Sequence, residues 1–197
     1  VIYTPAITDH NQLMNYFKDQ NYKIYKRSEM LGEVTRNTIN LSVAGTHGKT
    51  TTSSIIASIF QQYKFSFSAF LGGISANFNS NYFRQDIGGD DYSITEADEF
   101  DRSFLYLKPT YSVITSTDAD HLDIYGSKED LEQSYIEYSK LISNTSHLFY
   151  AKNKAENIRG VSYSVNAQKA DFYTSVRVQN SAGTHFDICN HLGEIYI

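Results

Sequence analysis

The sequence predicts an α/β fold: a mostly parallel sheet flanked by helices, with a short antiparallel β appendage near the C-terminus. Three observations carry this. The buried-strand run Ile39-Asn40-Leu41-Ser42-Val43-Ala44 is followed by a glycine loop and then by an apolar helical stretch through Ile55, Ile56, Ile59 and Phe60, which is the order of a βα unit. Further strand-like runs recur at 67–71, 92–95 and 111–115, with helical patterning between and after the last two. Beyond His147 the pattern changes to short runs at 161–165, 171–178, 184–189 and 194–197, separated by Asn, Ser and Gly, which predicts an antiparallel meander.

Composition bounds the rest. The 197 residues are 41% hydrophobic and 20% charged, ordinary globular usage that excludes intrinsic disorder. No stretch approaches the ~18 apolar residues of a membrane span, and the mean hydropathy is -0.41, so no membrane role is expected. A net charge of -5 gives no overall basic field for nucleic acid. Cys189 is the only cysteine, which excludes an internal disulfide and a multi-thiolate zinc site and makes a reducing, cytoplasmic setting the default.

Taken in order, Val1-Ile2-Tyr3 reads as a strand, Thr4-Pro5 as a turn, 11–20 as a helix with Leu13, Met14, Tyr16 and Phe17 apolar, and 22–25 as a short strand. This is too little for a domain. Residues 28–34 resemble a linker helix ending near Asn37-Thr38. After the βα unit and a strand running up to Gly72-Gly73, residues 102–107 read as helical. Ser127 with Asp130 three residues on predicts a capped helix to about 143, whose Leu131, Tyr135, Tyr138, Leu141 and Ile142 face the core. Strand-like runs at both ends, with no initiator Met and no signal-peptide pattern, read as a piece cut from a longer chain.

Gly45-Thr46-His47-Gly48-Lys49-Thr50 supplies the parts of a P-loop: backbone N–H groups and a helix N-terminus for phosphate, a Lys to neutralise charge and a hydroxyl for a metal. The usual glycine six residues before the Lys is Val43 here, so the loop is short, and a merely tight turn is the competing reading. Acidic residues follow two predicted strands, at Glu96-Ala97-Asp98-Glu99-Phe100-Asp101 and at Asp118-Ala119-Asp120-His121-Leu122-Asp123. In a doubly wound sheet these loops share one rim with the P-loop, and carboxylates facing a phosphate imply an intervening Mg²⁺. His121 stays open on the residues alone, because Mg²⁺ prefers oxygen ligands and a single His is commonly structural. The other histidines lack metal-ligand spacing, and Cys189 reads as a small buried apolar residue.

The run from Ala44 to Thr52, then Glu96-Ala97-Asp98-Glu99-Phe100-Asp101-Arg102-Ser103-Phe104-Leu105, then 118–123, resembles the Mur ligases, nearest to their alanine-adding branch. The resemblance implies residues 1–26 as a remnant of the UDP-binding N-terminal domain, 27–37 as the linker and 38–197 as an incomplete central ATPase domain. It implies an ATP-dependent ligase that joins L-alanine to the lactyl carboxylate of UDP-N-acetylmuramate through an acyl phosphate, a step in peptidoglycan precursor synthesis. Gly45, Thr46, His47, Gly48, Lys49, Thr50 and Thr51 would bind nucleotide; Lys49, Glu96 and His121 would be catalytic; Thr50, Glu96 and His121 would bind metal. Ser116 replaces the Asn usual five residues before the His. Alone, such a fragment is expected to bind nucleotide weakly and not to turn over.

Other readings compete, among them a noncatalytic remnant used as an interaction module, against which intact Lys49, Thr50, Glu96 and His121 argue. A recycling branch that attaches a tripeptide shares the loop, but tends to carry a basic insertion where Phe104-Leu105-Tyr106-Leu107-Lys108-Pro109 runs straight to the next strand. A GTP-binding switch protein is suggested by Asp86-Ile87-Gly88-Gly89 and by Asn153-Lys154-Ala155-Glu156, in which Glu156 replaces the guanine-reading Asp.

Overall fold

The computed structural model describes residues 1–4, 6–8, 10–118, 125–152, 157–165, 169–181, 183–192 and 194–196. The chain begins with β1 (Ile2–Tyr3), α1 (Gln12–Asp19) and β2 (Tyr25–Lys26), and β1 and β2 pair in parallel as a separate small sheet. Asn11 caps α1, its side chain accepting from the N–H groups of Leu13 and Met14. The strand expected at 22–25 forms only at its end, after the left-handed turn at Asn21. Pro5, half of the expected turn, lies outside the described residues.

Next come α2 (Arg27–Val34), β3 (Ile39–Ala44), α3 (Lys49–Gln62), β4 (Ser66–Ser75), β5 (Ser80–Gln85), β6 (Asp91–Ala97), a 3-10 helix (Phe100–Tyr106) and β7 (Tyr111–Ile114). Then follow α4 (Lys128–Ser139), β8 (Leu148–Ala151), β9 (Val161–Val165), β10 (Phe172–Asn180), β11 (Gly183–Asn190) and β12 (Ile195–Tyr196). One ten-stranded sheet runs β12-β11-β10-β9-β8-β7-β3-β6-β4-β5. It is parallel from β4 through β6, β3, β7, β8 and β9 to β10, and antiparallel at β5 on one edge and at β11 and β12 on the other.

The expected α/β class therefore holds, with particular differences. The 161–165 strand is not part of an antiparallel meander: β9 lies parallel between β8 and β10, and the antiparallel pairing starts only with β11. Gly72 and Gly73 do not end the second large strand; β4 runs through them and turns into β5, which sequence patterning misses because Ser80-Asn81-Tyr82-Phe83-Arg84-Gln85 is polar on its exposed edge. Phe83 turns inward against Phe67 and Phe78. The helix expected at 102–107 is a 3-10 segment starting at Phe100, with Asp101 and Arg102 both at φ 53°.

Apolar clusters cover both faces of the sheet. Ala57 of α3 packs with Phe67, Ala69, Leu71 and Ile94; on the other face α4 packs Leu131, Tyr135 and Tyr138 against Phe104, Ile114 and Leu148. The expected cap is present, with Ser127 accepting from the Asp130 N–H at 3.1 Å. Phe104 and Tyr138 stack at 4.8 Å, and the Tyr138 hydroxyl pairs with Ser112 at 2.9 Å. Burial pushes that hydroxyl's pKa up to about 12.

Gly32 marks the closest approach of α2 to the 3-10 segment, since a Cβ there would lie 2.3 Å from the Tyr106 carbonyl oxygen. Gly32→Ala is therefore expected to destabilise the chain by roughly 1–3 kcal/mol, overpacking outweighing the gain in helix propensity. An unchanged or raised urea midpoint would contradict this contact.

Candidate active site

Strand β3 sits at the centre of the sheet, with β6 on one side and β7 on the other, so the loops leaving the carboxyl ends of all three strands converge on one rim. Because β3 stays buried and hydrogen-bonded through Val43 and Ala44, the loop can begin only at Gly45. Gly45 turns the chain at φ +130°, and Gly48, at φ +83°, caps α3. This accounts for the short form of the motif: the strand occupies the position where a longer loop would place its first glycine.

The front of the loop is tied to the segment after β7. The Thr46 N–H donates to the Ser116 carbonyl at 3.2 Å, the His47 N–H to the Ser116 hydroxyl at 3.1 Å, and the Thr46 and Ser116 hydroxyls pair at 2.8 Å. Thr115 donates from its N–H to the Ala44 carbonyl at 3.0 Å and from its hydroxyl to the His47 carbonyl. Two of the amides expected to face phosphate are thus engaged within the protein. The first intrahelical i to i−4 bond of α3 runs from Thr52 to Gly48, so the N–H groups of the first turn, at Lys49, Thr50 and Thr51, are the helix's open donors. Ser116, whose partner sequence reasoning does not identify, is a brace of the loop. The side chains of His47 and Thr51 are exposed.

Lys49 and Thr50 open α3 and reach the end of β6. The Thr50 hydroxyl donates to Glu96 at 2.9 Å, and Glu96 also accepts from the Ser53 hydroxyl at 3.1 Å and the Gly72 N–H at 2.6 Å. Register places Glu96 directly beside Val43, one residue before β6 ends. Lys49 Nζ donates to the Gly45 carbonyl at 2.7 Å and to both oxygens of Glu99, at 3.0 and 2.7 Å. Asp98 accepts from the Phe100 N–H at 3.1 Å, and Asp101 pairs with Lys26 at 2.8 Å, the bond that chiefly raises the Lys26 pKa.

Five of the expected site residues, Gly45, Gly48, Lys49, Thr50 and Glu96, are therefore brought together. His121, with Ala119, Asp120 and Asp123, lies outside the described residues. Among the described residues no cluster of three or more His, Cys, Asp or Glu could hold a metal. Thr50 and Glu96 nonetheless fit Mg²⁺, because hydroxyl and carboxylate are hard oxygen donors and Mg²⁺ commonly takes one or two carboxylates together with substrate phosphates. Sequence reasoning does not single out Glu99, Ser53 or Gly72 for this site. Only Glu99 carried a signal, as part of an acidic run, and the sequence did not say which acid faced the lysine.

From this rim a cleft of about 510 Å³ opens, within the range of small-molecule sites. Lys49, Thr50, Glu96 and Asp98 lie at its polar end. Its walls come from Ile2, from Arg27, Met30, Leu31 and Val34 of α2, and from Phe70, Leu71, Gly72, Asn81 and Tyr82 of the β4–β5 hairpin. The GTP-switch reading fails here. Asp86-Ile87-Gly88-Gly89 lies just before the start of β6, at the opposite end of the parallel strands from the loop, and Asp86 pairs with Arg84; 153–156 lies outside the described residues. Cys189 is buried as expected, and His147 stacks on Tyr111 at 4.2 Å. Among the described residues no helix is long and apolar enough to cross a membrane.

Comparison with known proteins places this geometry. The Mur ligase middle domain matches residues 43–197. The UDP-N-acetylmuramate--L-alanine ligase of Flavobacterium johnsoniae is 44% identical over 181 residues, 91% of this chain and 39% of that protein. Among solved structures, the UDP-N-acetylmuramate-alanine ligase of Thermotoga maritima superposes with a TM-score of 0.84 at 24% identity, over 100% of this chain and 45% of that one. The UDP-N-acetylmuramate:L-alanyl-gamma-D-glutamyl-meso-diaminopimelate ligase of Neisseria meningitides superposes at 0.80 and 19% identity, over 98% and 65%. The chain thus spans about two fifths of the length of the curated relatives it matches. With the family match beginning at Val43 and taking in the short loop, its lysine and the β6 carboxylate, the chain belongs to the Mur ligase family.

Proposed function

We propose that this chain is the nucleotide-binding part of an ATP-dependent ligase that joins L-alanine to the lactyl carboxylate of UDP-N-acetylmuramate, with Mg²⁺ as the metal. The observation that carries the reading is the meeting of Thr50 and Glu96 at 2.9 Å beside Lys49, at the N-terminus of a helix that follows the central strand. A helix N-terminus and a lysine attract polyphosphate; a carboxylate in the same place repels it unless a cation lies between. Identity of 44% to a protein named for alanine addition favours that substrate over the tripeptide of the recycling branch.

In this reading Lys49 and the first-turn amides of α3 hold the β- and γ-phosphates and stabilise charge on the transferring phosphoryl group. Thr50 and Glu96 hold Mg²⁺, which supplies charge neutralisation when bound. The Gly72 N–H, at 2.6 Å, keeps the Glu96 carboxylate aimed at Thr50. The cleft walled by α2 and the β4–β5 hairpin receives the acid, whose carboxylate takes the phosphoryl group before an amine displaces phosphate. His121, by its place in the motif, serves near the transferred phosphate. Residues 1–26, 27–37 and 38–197 then stand as the end of the N-terminal domain, the linker and the central domain. ATP and a UDP-linked precursor as substrates imply a cytoplasmic enzyme.

Titration calorimetry with ATP, in Mg²⁺ and again in excess EDTA, tests this. Binding is expected to weaken by at least about tenfold without the metal, the scale of one charge-assisted contact. GTP at equal concentration is expected not to displace ATP. Binding indifferent to Mg²⁺, or a preference for GTP, would overturn the reading.

A further inference from the structure

The four carboxylates between 96 and 101 have separate partners: Glu96 takes Thr50, Ser53 and the Gly72 amide, Asp98 the Phe100 amide, and Asp101 Lys26, while Glu99 takes Lys49 with both oxygens. An ammonium has three protons. Those of Lys49 point at the Gly45 carbonyl and the two Glu99 oxygens, so each is already directed at a protein acceptor. The Glu99 side chain has no solvent exposure and that of Lys49 only 17%. The main chain at Glu99 is fixed as well, its carbonyl accepting from the Arg102 N–H at 2.9 Å and from the Tyr125 hydroxyl, in the turn that Asp101 and Arg102 make with positive φ.

We propose that Glu99 is a positioning residue that holds Lys49 against the loop and sets nucleotide affinity by competing with phosphate for its ammonium. The proposal rests on the phosphate-loop reading above. A phosphate oxygen reaching Lys49 must displace at least one carboxylate oxygen, and it brings negative charge next to a buried carboxylate, where solvent screens little. Neutralising Glu99 without changing its shape frees the ammonium and removes the repulsion together.

Mg-ATP binding by calorimetry on the chain and three variants, each checked for a cooperative melt, decides it. Glu99→Gln is expected to tighten binding about tenfold, the equivalent of one charge-assisted hydrogen bond no longer surrendered. Glu99→Asp keeps the charge but draws it back by one methylene, so its affinity is expected between the other two; it carries the test if Glu99→Gln does not fold. Asp101→Asn, which removes the same charge from the Lys26 pair, is expected to leave affinity within about twofold, as for surface ion pairs. A purely structural Glu99 would give weaker binding on substitution. Unchanged or weaker binding in Glu99→Gln, or equal tightening in Asp101→Asn, overturns the proposal while leaving the nucleotide site intact; no ATP binding by the unaltered chain overturns both.

Discussion

Lys49→Ala is expected to weaken Mg-ATP binding by at least about a hundredfold, because the lysine provides the charge at the N-terminus of α3 and a charge-assisted contact to phosphate contributes up to ~3 kcal/mol. The only other cation lining the cleft among the described residues is Arg27 of α2, which also borders Glu96 and Asp98. The same substitution is expected to lower stability. Both oxygens of the fully buried Glu99 lose their ammonium partner, and breaking a buried ion pair from one side costs about 3 kcal/mol or more. The two effects separate in the Lys49→Ala/Glu99→Gln double variant. With the buried charge gone, its urea midpoint is expected to return most of the way to that of the unaltered chain, while ATP binding stays lost. Calorimetry and urea unfolding on the three proteins check this, and single-variant binding within threefold of the parent would remove Lys49 from the phosphate site.

The parts of the site legible in the sequence are those encoded locally. Gly45, Gly48, Lys49 and Thr50 lie within one strand-loop-helix unit, and the placement of Glu96 follows from a single further step, that β6 neighbours β3 with its carboxyl end on the same rim. What was not legible depends on contacts that chain order does not announce. Glu99 reaches Lys49 while Asp98 turns to the Phe100 N–H and Asp101 to Lys26, a division set by a backbone that goes on through left-handed conformations at Asp101 and Arg102, neither of them a glycine. Ser116 braces Thr46 and His47 only because β7 ends beside the loop, 70 residues away in the chain from Thr46. The same limit applied to the fold. Alternation and turn residues marked β9 as a strand, but the direction of its pairing with β8 and β10 is set by how the intervening chain returns, and its polar spacers read equally well as hairpin turns. The mostly parallel class is legible because β3, β6 and β7 read as strands joined by connections too long for hairpins.

The two loop glycines are expected to differ sharply in what they tolerate. At Gly45 an alanine Cβ would lie 2.1 Å from the Thr115 hydroxyl oxygen, 2.9 Å from the Ser116 nitrogen and 3.0 Å from the Ser116 carbonyl oxygen, at a φ of +130° that side chains rarely adopt. A rotated Thr115 could relieve the first contact, but the other two are backbone, part of the segment whose hydrogen bonds hold the loop. Gly45→Ala must therefore push the loop away from β7, and about 3 kcal/mol or more of destabilisation is expected from strain and overpacking together. Nucleotide binding should fall with it, since the loop and the start of α3 move as one. At Gly48 the added Cβ meets nothing closer than 3.9 Å, so only the left-handed φ of +83° opposes it, and Gly48→Ala is expected to cost about 1 kcal/mol. Thr115→Ala combined with Gly45→Ala should recover only part of the loss, because the Ser116 backbone remains in the way. Urea unfolding of these variants separates the cases: equal losses at the two glycines would mean that backbone strain alone governs the loop, and full rescue by Thr115→Ala would mean that the close approach of Ser116 does not constrain it.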